Sequence, residues 1–357
     1  HLAVCGMVAS GKSTFLQTML LGLIQEYSPD ELNFYILDYS SRLLLCFEKA
    51  PHCGGIAVDT DTEKVKKLFY LLECLLAERK QLFGGGSYSQ YIRAHGREKT
   101  PPAVILLIDN CANFREKTNG CFDDALLRLS REGVGYGIFL ALSGAGFGAS
   151  EIPLRIADNI RTVLSLEMGE KSKYAEILRT PRVPVLPEKA IKGRGLAWVD
   201  ERVLEFQTAL ALEGDDAYAV AGAIDECCRG MAENWTGETA RKIPMIPQDP
   251  KLSEFAALPE WKKAAEEKRY LPLGYNVQDA SIYSLDLWNT YCYIVQGRNR
   301  SGKKNVLKLL MCAAAAKPEV AVFLIDLGGS GLAKQVRQLP VKCLEDERSV
   351  FEFFKST

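Results

Sequence analysis

Apolar runs bounded by glycine, proline and polar turn residues recur along the chain, without the strict alternation of half-exposed strands. Such runs are typical of strands buried on both faces of a parallel sheet. Between them lie longer stretches with apolar residues at helical spacing. The pattern predicts an α/β fold, an open and mostly parallel sheet flanked by helices.

The elements predicted for the first part of the chain alternate between strand and helix. Predicted strands cover 1–6, 33–38, 103–109, 137–143 and 161–168, and predicted helices cover 14–26, 63–81 and 123–131. A closing antiparallel hairpin is expected from the segments 193–200 and 203–211.

The chain also contains an internal duplication. The order strand, glycine-lysine loop, helix, strand over 1–38 recurs over 291–326, with a strand at 291–297, a helix at 305–317 and a strand at 320–326. Such self-similarity indicates tandem copies of one structural unit. The second copy is cut short, because the sequence ends at Thr357 inside a predicted helix, and we expect the chain to be a segment of a longer protein.

At about 150 residues per domain, 357 residues indicate two domains. The proline-rich segment 243–250 cannot be a helix or an interior strand. We therefore predict one module over 1–225, an interdomain linker over 226–270, and the first part of a second module over 271–357.

Charge and apolar content narrow the functional classes. Lys and Arg number 44 and Asp and Glu 45, a formal net charge of −1. This balance excludes a sequence-wide basic field for nucleic acid or anionic lipid, although a local basic patch remains open. No apolar run approaches the ~20 residues that cross a bilayer.

The eleven cysteines occur singly or within apolar runs, without a repeated C-x-x-C pair. This usage predicts reduced, buried thiols in a cytosolic setting. The cysteines in apolar runs are Cys5, Cys46, Cys74, Cys292 and Cys312.

Residues 6–13 fit the phosphate-binding pattern G-x-x-x-x-G-K-[ST], between a predicted strand and a predicted helix. Backbone N–H groups of such a loop surround phosphate oxygens at a helix N-terminus. Lys12 is expected to reach the β- and γ-phosphates of ATP and Ser13 to hold Mg²⁺; the alternative is an accidental Gly-Lys turn. The predicted nucleotide-binding residues are Gly6, Ala9, Ser10, Gly11, Lys12, Ser13 and Thr14.

Two later strand ends supply candidates for the same site. Asp109 ends a buried strand and is predicted to hold Mg²⁺ with Ser13; the alternative is an aspartate that caps the next helix. The next residue, Asn110, carries an amide that cannot accept a proton from water. Ser143 is a candidate γ-phosphate sensor, against the alternative of ordinary turn chemistry.

A second loop, 297–304, repeats the glycines and the lysine but has Lys304 where the Mg²⁺-binding hydroxyl is expected. An ammonium cannot ligate a cation. Phosphate binding without efficient hydrolysis is predicted, and a relic loop that binds nothing is the alternative. The predicted phosphate-binding residues are Gly297, Ser301, Gly302, Lys303 and Lys304.

On these loops and several further motifs, the chain resembles the FtsK/SpoIIIE P-loop ATPases, and its tandem form resembles the EssC/EccC ATPases of type VII (ESX) secretion. The further motifs lie at 50–52, 59–61, 77–80, 136–142, 193–195, 206–210, 243–247 and 271–274. The resemblance implies two tandem RecA-like P-loop NTPase modules, the second and the truncated third of the family's three. Departures are Asn110 for the usual glutamate, Lys304 for the usual hydroxyl, and 143–146 where an arginine commonly follows the sensor strand.

The resemblance implies ATP-binding, mainly regulatory and substrate-receiving modules with weak or no hydrolysis. It further implies WXG100-type (EsxA/EsxB-like) helical substrates, other secretion subunits as partners, a homo-hexamer, and a cytoplasmic location anchored in the membrane by helices outside this chain. The alternatives are an FtsK-like DNA translocase and a nucleotide-free scaffold. Arginines that could act across a subunit boundary, or form surface ion pairs instead, are Arg128, Arg131, Arg155 and Arg161.

Overall fold

The computed structural model describes residues 1–188, 191–317 and 320–356, so Thr357 lies outside the described residues. The chain divides into two compact units, His1–Pro244 and Met245–Thr357. Each unit is described by itself.

The first unit is built on an eight-stranded sheet. Its strands are β1 Leu2–Cys5, β2 Leu32–Asp38, β3 Cys53–Val58, β4 Ala103–Asp109, β5 Ile138–Gly144, β6 Thr162–Leu166, β7 Arg194–Val199 and β8 Arg202–Gln207. Their spatial order is β3-β2-β4-β5-β1-β6-β7-β8. In this spatial order, every neighbouring pair of strands from β3 through β2, β4, β5 and β1 to β6 is parallel. Strand β7 pairs antiparallel with both β6 and β8. The predicted α/β class and the closing hairpin are confirmed.

Helices cover both faces of this sheet, which explains the continuous apolar runs of its central strands. They are α1 Lys12–Glu26, α2 Thr62–Phe83, α3 Tyr88–His95, α4 Cys111–Thr118, α5 Asp123–Glu132, α6 Leu154–Ala157, α7 Lys171–Ile177 and α8 Ala217–Asn234. One apolar cluster contains Leu68 and Leu72 of α2, and the other contains Leu16 of α1 and Ile224 of α8.

The first unit extends beyond residue 225, where the sequence analysis placed the start of the linker. Helix α8 continues to Asn234, and the segment 240–243 pairs with the edge of β3. The backbone N of Ala240 donates to the carbonyl of Pro51 at 2.9 Å, and that of Ile243 to the carbonyl of Gly54 at 3.0 Å. Unpaired backbone groups at a sheet edge are available for hydrogen bonding, and the segment 240–243, which ends just before Pro244, supplies partners for them.

The described residues of the second unit form two small sheets and five helices. The hairpin β9 Tyr270–Tyr275 and β10 Ile282–Asp286 is antiparallel, and β11 Val322–Ile325 and β12 Val341–Leu344 are parallel. The helices are α9 Leu252–Ala257, α10 Pro259–Glu266, α11 Lys303–Ala315, α12 Leu332–Gln335 and α13 Glu347–Ser356.

The prediction of a strand at 291–297 is wrong, because these residues form no strand in the structure. Tyr291 is 97% exposed and Ile294 is 78% exposed. In the first unit the corresponding strand, β1, is held between β5 and β6. Among the described residues, no strand pairs with the segment 291–297 in this way.

Most cysteines are wholly or partly buried, but the prediction of burial is wrong for Cys292, which lies in the exposed segment 291–297, and Cys121 is also exposed. All eleven are free thiols. Burial raises the pKa of Cys5 and Cys53 to about 12. Such thiols stay protonated at neutral pH.

Candidate nucleotide-binding site

A tight loop joins β1 to α1 and exposes the N-terminus of that helix. Ala9 and Gly11 adopt left-handed backbone conformations, with φ of 65° and 101°. A Cβ on Gly6 would lie 2.4 Å from Ser10 Oγ, and one on Gly11 would lie 2.9 Å from the backbone N of Gly193. The glycines are therefore required for the curl that turns backbone N–H groups inward, as an anion site needs.

Lys12 folds back over this loop. Its Nζ donates to the carbonyl of Gly6 at 2.8 Å and to that of Met7 at 2.7 Å. Burial lowers the pKa of Lys12, and the carboxylates of Asp109 and Glu151 oppose that shift. Because both acceptors are neutral carbonyls, phosphate oxygens would compete well for this ammonium.

Ser13, Asp109 and Ser143 meet in one hydrogen-bonded group. Ser13 Oγ donates to Asp109 Oδ2 at 2.7 Å, and Ser143 Oγ donates to Asp109 Oδ1. Burial raises the pKa of Asp109, and the two hydroxyl hydrogen bonds oppose the rise. The strand that carries Asp109 is not the neighbour of β1, since β5 lies between them, yet the carboxylate still reaches the start of α1.

Asn110 caps α4 rather than presenting its side chain freely. Its Oδ1 accepts from the backbone N of Asn113 at 3.2 Å, and its Nδ2 donates to the carbonyl of Tyr39 at 3.4 Å. Its φ of 67° is left-handed. The helix cap considered for Asp109 is thus supplied by the next residue, and Asp109 points to Ser13 instead.

A cavity of about 490 Å³ opens over the loop, within the usual size range for small-molecule sites. Its walls include Thr14, Asn110 and two residues that the sequence analysis did not single out, Glu151 and Lys192. Ser10 Oγ is buried and has no hydrogen-bond partner within the described part of the chain. An unsatisfied hydroxyl inside a loop of inward N–H groups fits a phosphate ligand.

The second loop repeats this backbone geometry. Arg300 and Gly302 have φ of 62° and 88°, in the places of Ala9 and Gly11. A Cβ on Gly297 would lie 2.3 Å from Ser301 Oγ.

Its two lysines differ in what they contact. Lys303 Nζ donates to the carbonyls of Gly297 and Arg298, as Lys12 does in the first loop. Lys304 Nζ donates to the carbonyl of Ser330, so the side chain that replaces the hydroxyl turns to the protein backbone.

The candidate arginines lie on the first unit. Arg128 pairs with Glu73 at 3.5 Å and Arg155 with Asp124 at 3.5 Å, both with half-exposed guanidinium groups. Such exposed ion pairs contribute little to stability, and the role of all four arginines across a subunit boundary stays a prediction.

Comparisons with known proteins agree with this geometry. The FtsK/SpoIIIE family model matches residues 1–168. The ESX secretion system protein EccC of Thermomonospora curvata is 30% identical over 319 residues, which cover 87% of this chain and 23% of that protein.

Solved structures show the same fold. EssC (ATPases 2 and 3) from Geobacillus thermodenitrificans has a TM-score of 0.83 at 22% identity, covering all of this chain and 67% of that one. Thermomonospora curvata EccC (ATPases 2 and 3) in complex with a signal sequence peptide has a TM-score of 0.66 at 25% identity, covering all of this chain and 64% of that one.

The chain thus spans less than a quarter of the length of the curated EccC relative. No helix in the described residues is long and apolar enough to span a bilayer. The loop, its lysine and the Ser13–Asp109 pair agree with the matched family model. Residues 1–168 match the FtsK/SpoIIIE family model, and the chain is similar in sequence to the EccC and EssC proteins of type VII secretion.

Proposed function

We propose that this chain supplies ATP-binding, mainly regulatory and substrate-receiving modules to a type VII protein-secretion motor. The observation that carries the proposal is the contact of Ser13 Oγ with Asp109 Oδ2 at 2.7 Å, beside a lysine held over a phosphate-type loop. Lys12 binds the β- and γ-phosphates, and the loop backbone orients them.

Ser13 and Asp109 are the residues that would hold Mg²⁺. Both offer oxygen, the donor that this hard cation prefers. When bound, Mg²⁺ neutralises charge on the β- and γ-phosphate oxygens. Ser143 fixes the orientation of the Asp109 carboxylate through its hydrogen bond, which is how it supports the site.

Slow hydrolysis follows from two side chains. The Asn110 amide is engaged in capping α4 and cannot accept a proton. In the second loop Lys304 replaces the metal-binding hydroxyl and contacts a backbone carbonyl. Nucleotide therefore acts chiefly by fixing the shape of the modules, and most hydrolysis of the motor takes place elsewhere.

The proposed partners follow from the relatives. The EccC structure that matches this fold contains a signal sequence peptide, which supports secretion substrates as ligands of this chain. We propose helical WXG100-type (EsxA/EsxB-like) proteins, other subunits of the machine, and assembly of the longer protein into a hexamer anchored in the membrane by helices outside this chain.

The test compares the chain with its Lys12→Ala variant, using Lys171→Ala, at an exposed position of helix α7, as the control. We expect fluorescent ATP to bind the chain and the control equally, and to bind Lys12→Ala at least about tenfold more weakly. Turnover should stay below about one per second. Fast turnover that Lys12→Ala abolishes would contradict the regulatory role, and no ATP binding by the unaltered chain would favour a nucleotide-free scaffold.

DNA translocation is the second candidate, and the near-zero net charge argues against it. Binding of the chain to duplex DNA that weakens steeply with salt would favour it.

A further inference from the structure

One carboxylate faces the nucleotide cavity without a role in the site described above. Among the described residues that line this cavity, Glu151 is the one with an acidic side chain. It belongs to the loop that follows β5.

The loop holds Glu151 in a fixed position. Its Oε2 accepts from the backbone N of Ala145 at 3.1 Å. The next residue, Ile152, is fully buried in the core, and its carbonyl accepts from the backbone N of Gly148 at 3.0 Å. Arg115 Nη1 donates to the carbonyl of Glu151 at 3.2 Å. Such anchoring keeps a side chain oriented in the way a reacting group requires.

The carboxylate of Glu151 lies beside the end of β5, next to residues of the nucleotide site. A Cβ built on Gly144 would lie 3.4 Å from Glu151 Oε2, and the carbonyl of Gly144 accepts from the backbone N of Gly6 in the phosphate loop at 3.1 Å. Ser143, the residue before Gly144, donates to Asp109. Glu151 and Lys12 line the same cavity, so the carboxylate faces the space that the terminal phosphate would enter.

A carboxylate at this place can do what Asn110 cannot. Activation of water needs a proton acceptor within hydrogen-bond reach of the attacking molecule. Asn110 lacks such an acceptor and is engaged in capping α4. Glu151 has two carboxylate oxygens, of which Oε2 accepts from the backbone N of Ala145.

We propose that Glu151 is the residue that activates water for the slow ATP hydrolysis of the first unit, an inference that rests on the proposed ATP binding. The water oxygen forms a bond to the γ-phosphorus while the bond from that phosphorus to the β–γ bridging oxygen breaks. The electron pair of the broken bond stays on ADP. The proton lost by water passes to the Glu151 carboxylate and from there to solvent, leaving inorganic phosphate.

The test uses Glu151→Gln in the full chain, with Glu176→Gln, at an exposed position of α7, as the matched control. Single-turnover hydrolysis of ³²P-labelled ATP should be at least about a hundredfold slower in Glu151→Gln, and unchanged in the control. A second measurement does not depend on turnover. Removing a negative charge beside the γ-phosphate should tighten ATP binding about threefold and leave ADP binding unchanged.

The outcomes separate this inference from the proposed function. Unchanged ADP affinity shows that the variant is folded. The assignment of Glu151 is overturned if the chain binds ATP but Glu151→Gln hydrolyses it at the original rate. It is also overturned if the unaltered chain hydrolyses ATP no faster than Lys12→Ala does. In both cases the proposed ATP binding stands. Equal tightening of ATP and ADP would also overturn the assignment of Glu151. If the unaltered chain binds no ATP, the proposed function itself fails.

Discussion

At the residue scale, Asn110 shows why a single replacement does not restore a conventional site. Its φ of 67° suits Asn and Asp but strains longer side chains. Its Oδ1 caps α4. We expect Asn110→Glu to strain the left-handed backbone and to remove the cap of α4. These losses should lower the free energy of unfolding of the first unit by about 1–2 kcal/mol, without raising ATP turnover.

Urea unfolding and hydrogen exchange of α4 measure this loss. Asn110→Asp is the matched control, because it keeps a capping oxygen and tolerates the left-handed backbone; its loss should stay within about 0.5 kcal/mol. Equal stability of Asn110→Glu and the original chain would show that the cap contributes nothing.

The residues of the site differ in how well the sequence reveals them. Lys12, Ser13 and Asp109 follow from a spaced motif and a strand end, and the structure brings them together. Glu151 lies in a loop without periodicity or motif, and its place in the same cavity as Lys12 depends on where β5 ends and how the loop is anchored. That placement is a property of the tertiary fold, so nothing local in the sequence indicates it.

At the element scale, the edge of β3 explains why the chain beyond α8 stays with the first unit. Ile243 is only 6% exposed, and its side chain packs against Gly55, where a Cβ would lie 2.8 Å from Ile243 Cδ1. We expect Ile243→Ala to destabilise the first unit by about 2–4 kcal/mol. Thermal or urea unfolding measures this change.

The control for that prediction is Met245→Ala, two residues further on, where the side chain is 43% exposed. It should cost less than about 1 kcal/mol. Similar losses for the two variants would mean that the segment after α8 is not part of the core.

The elements that were predicted well are those with their own periodicity or apolar run, such as α2 and β4. Strand β3 was not predicted, because Cys53–Val58 contains two glycines and follows Pro51, and these residues weaken a strand signal. Its pairing with β2 supplies the stability that local preference lacks. For the segment 291–297 the error is the opposite one, since the sequence pattern predicts a strand but no described strand pairs with it.

At the scale of the whole molecule, the reactivity of the thiols reports on the packing of both units. Burial raises the pKa of Cys5 and Cys53 to about 12, so that little thiolate exists at pH 8. We expect iodoacetamide at pH 8 to modify the exposed Cys121 and Cys292 first, as measured by peptide mass spectrometry. Modification of Cys5 as fast as that of Cys121 would contradict the buried position of β1.

The two loops of the molecule share a backbone geometry and differ at the residue after the lysine, so they should differ in their need for Mg²⁺. Ser13 offers a hydroxyl beside Asp109, whereas Lys304 offers a second positive charge. Lys303→Ala leaves the first loop to bind ATP, and in calorimetry this binding should weaken at least about tenfold when EDTA removes the metal. Lys12→Ala leaves the second loop to bind ATP, and this binding should be unchanged by EDTA. The double variant should bind no ATP. If the binding left in Lys12→Ala also requires Mg²⁺, Lys304 does not replace the metal and the second loop works by other means.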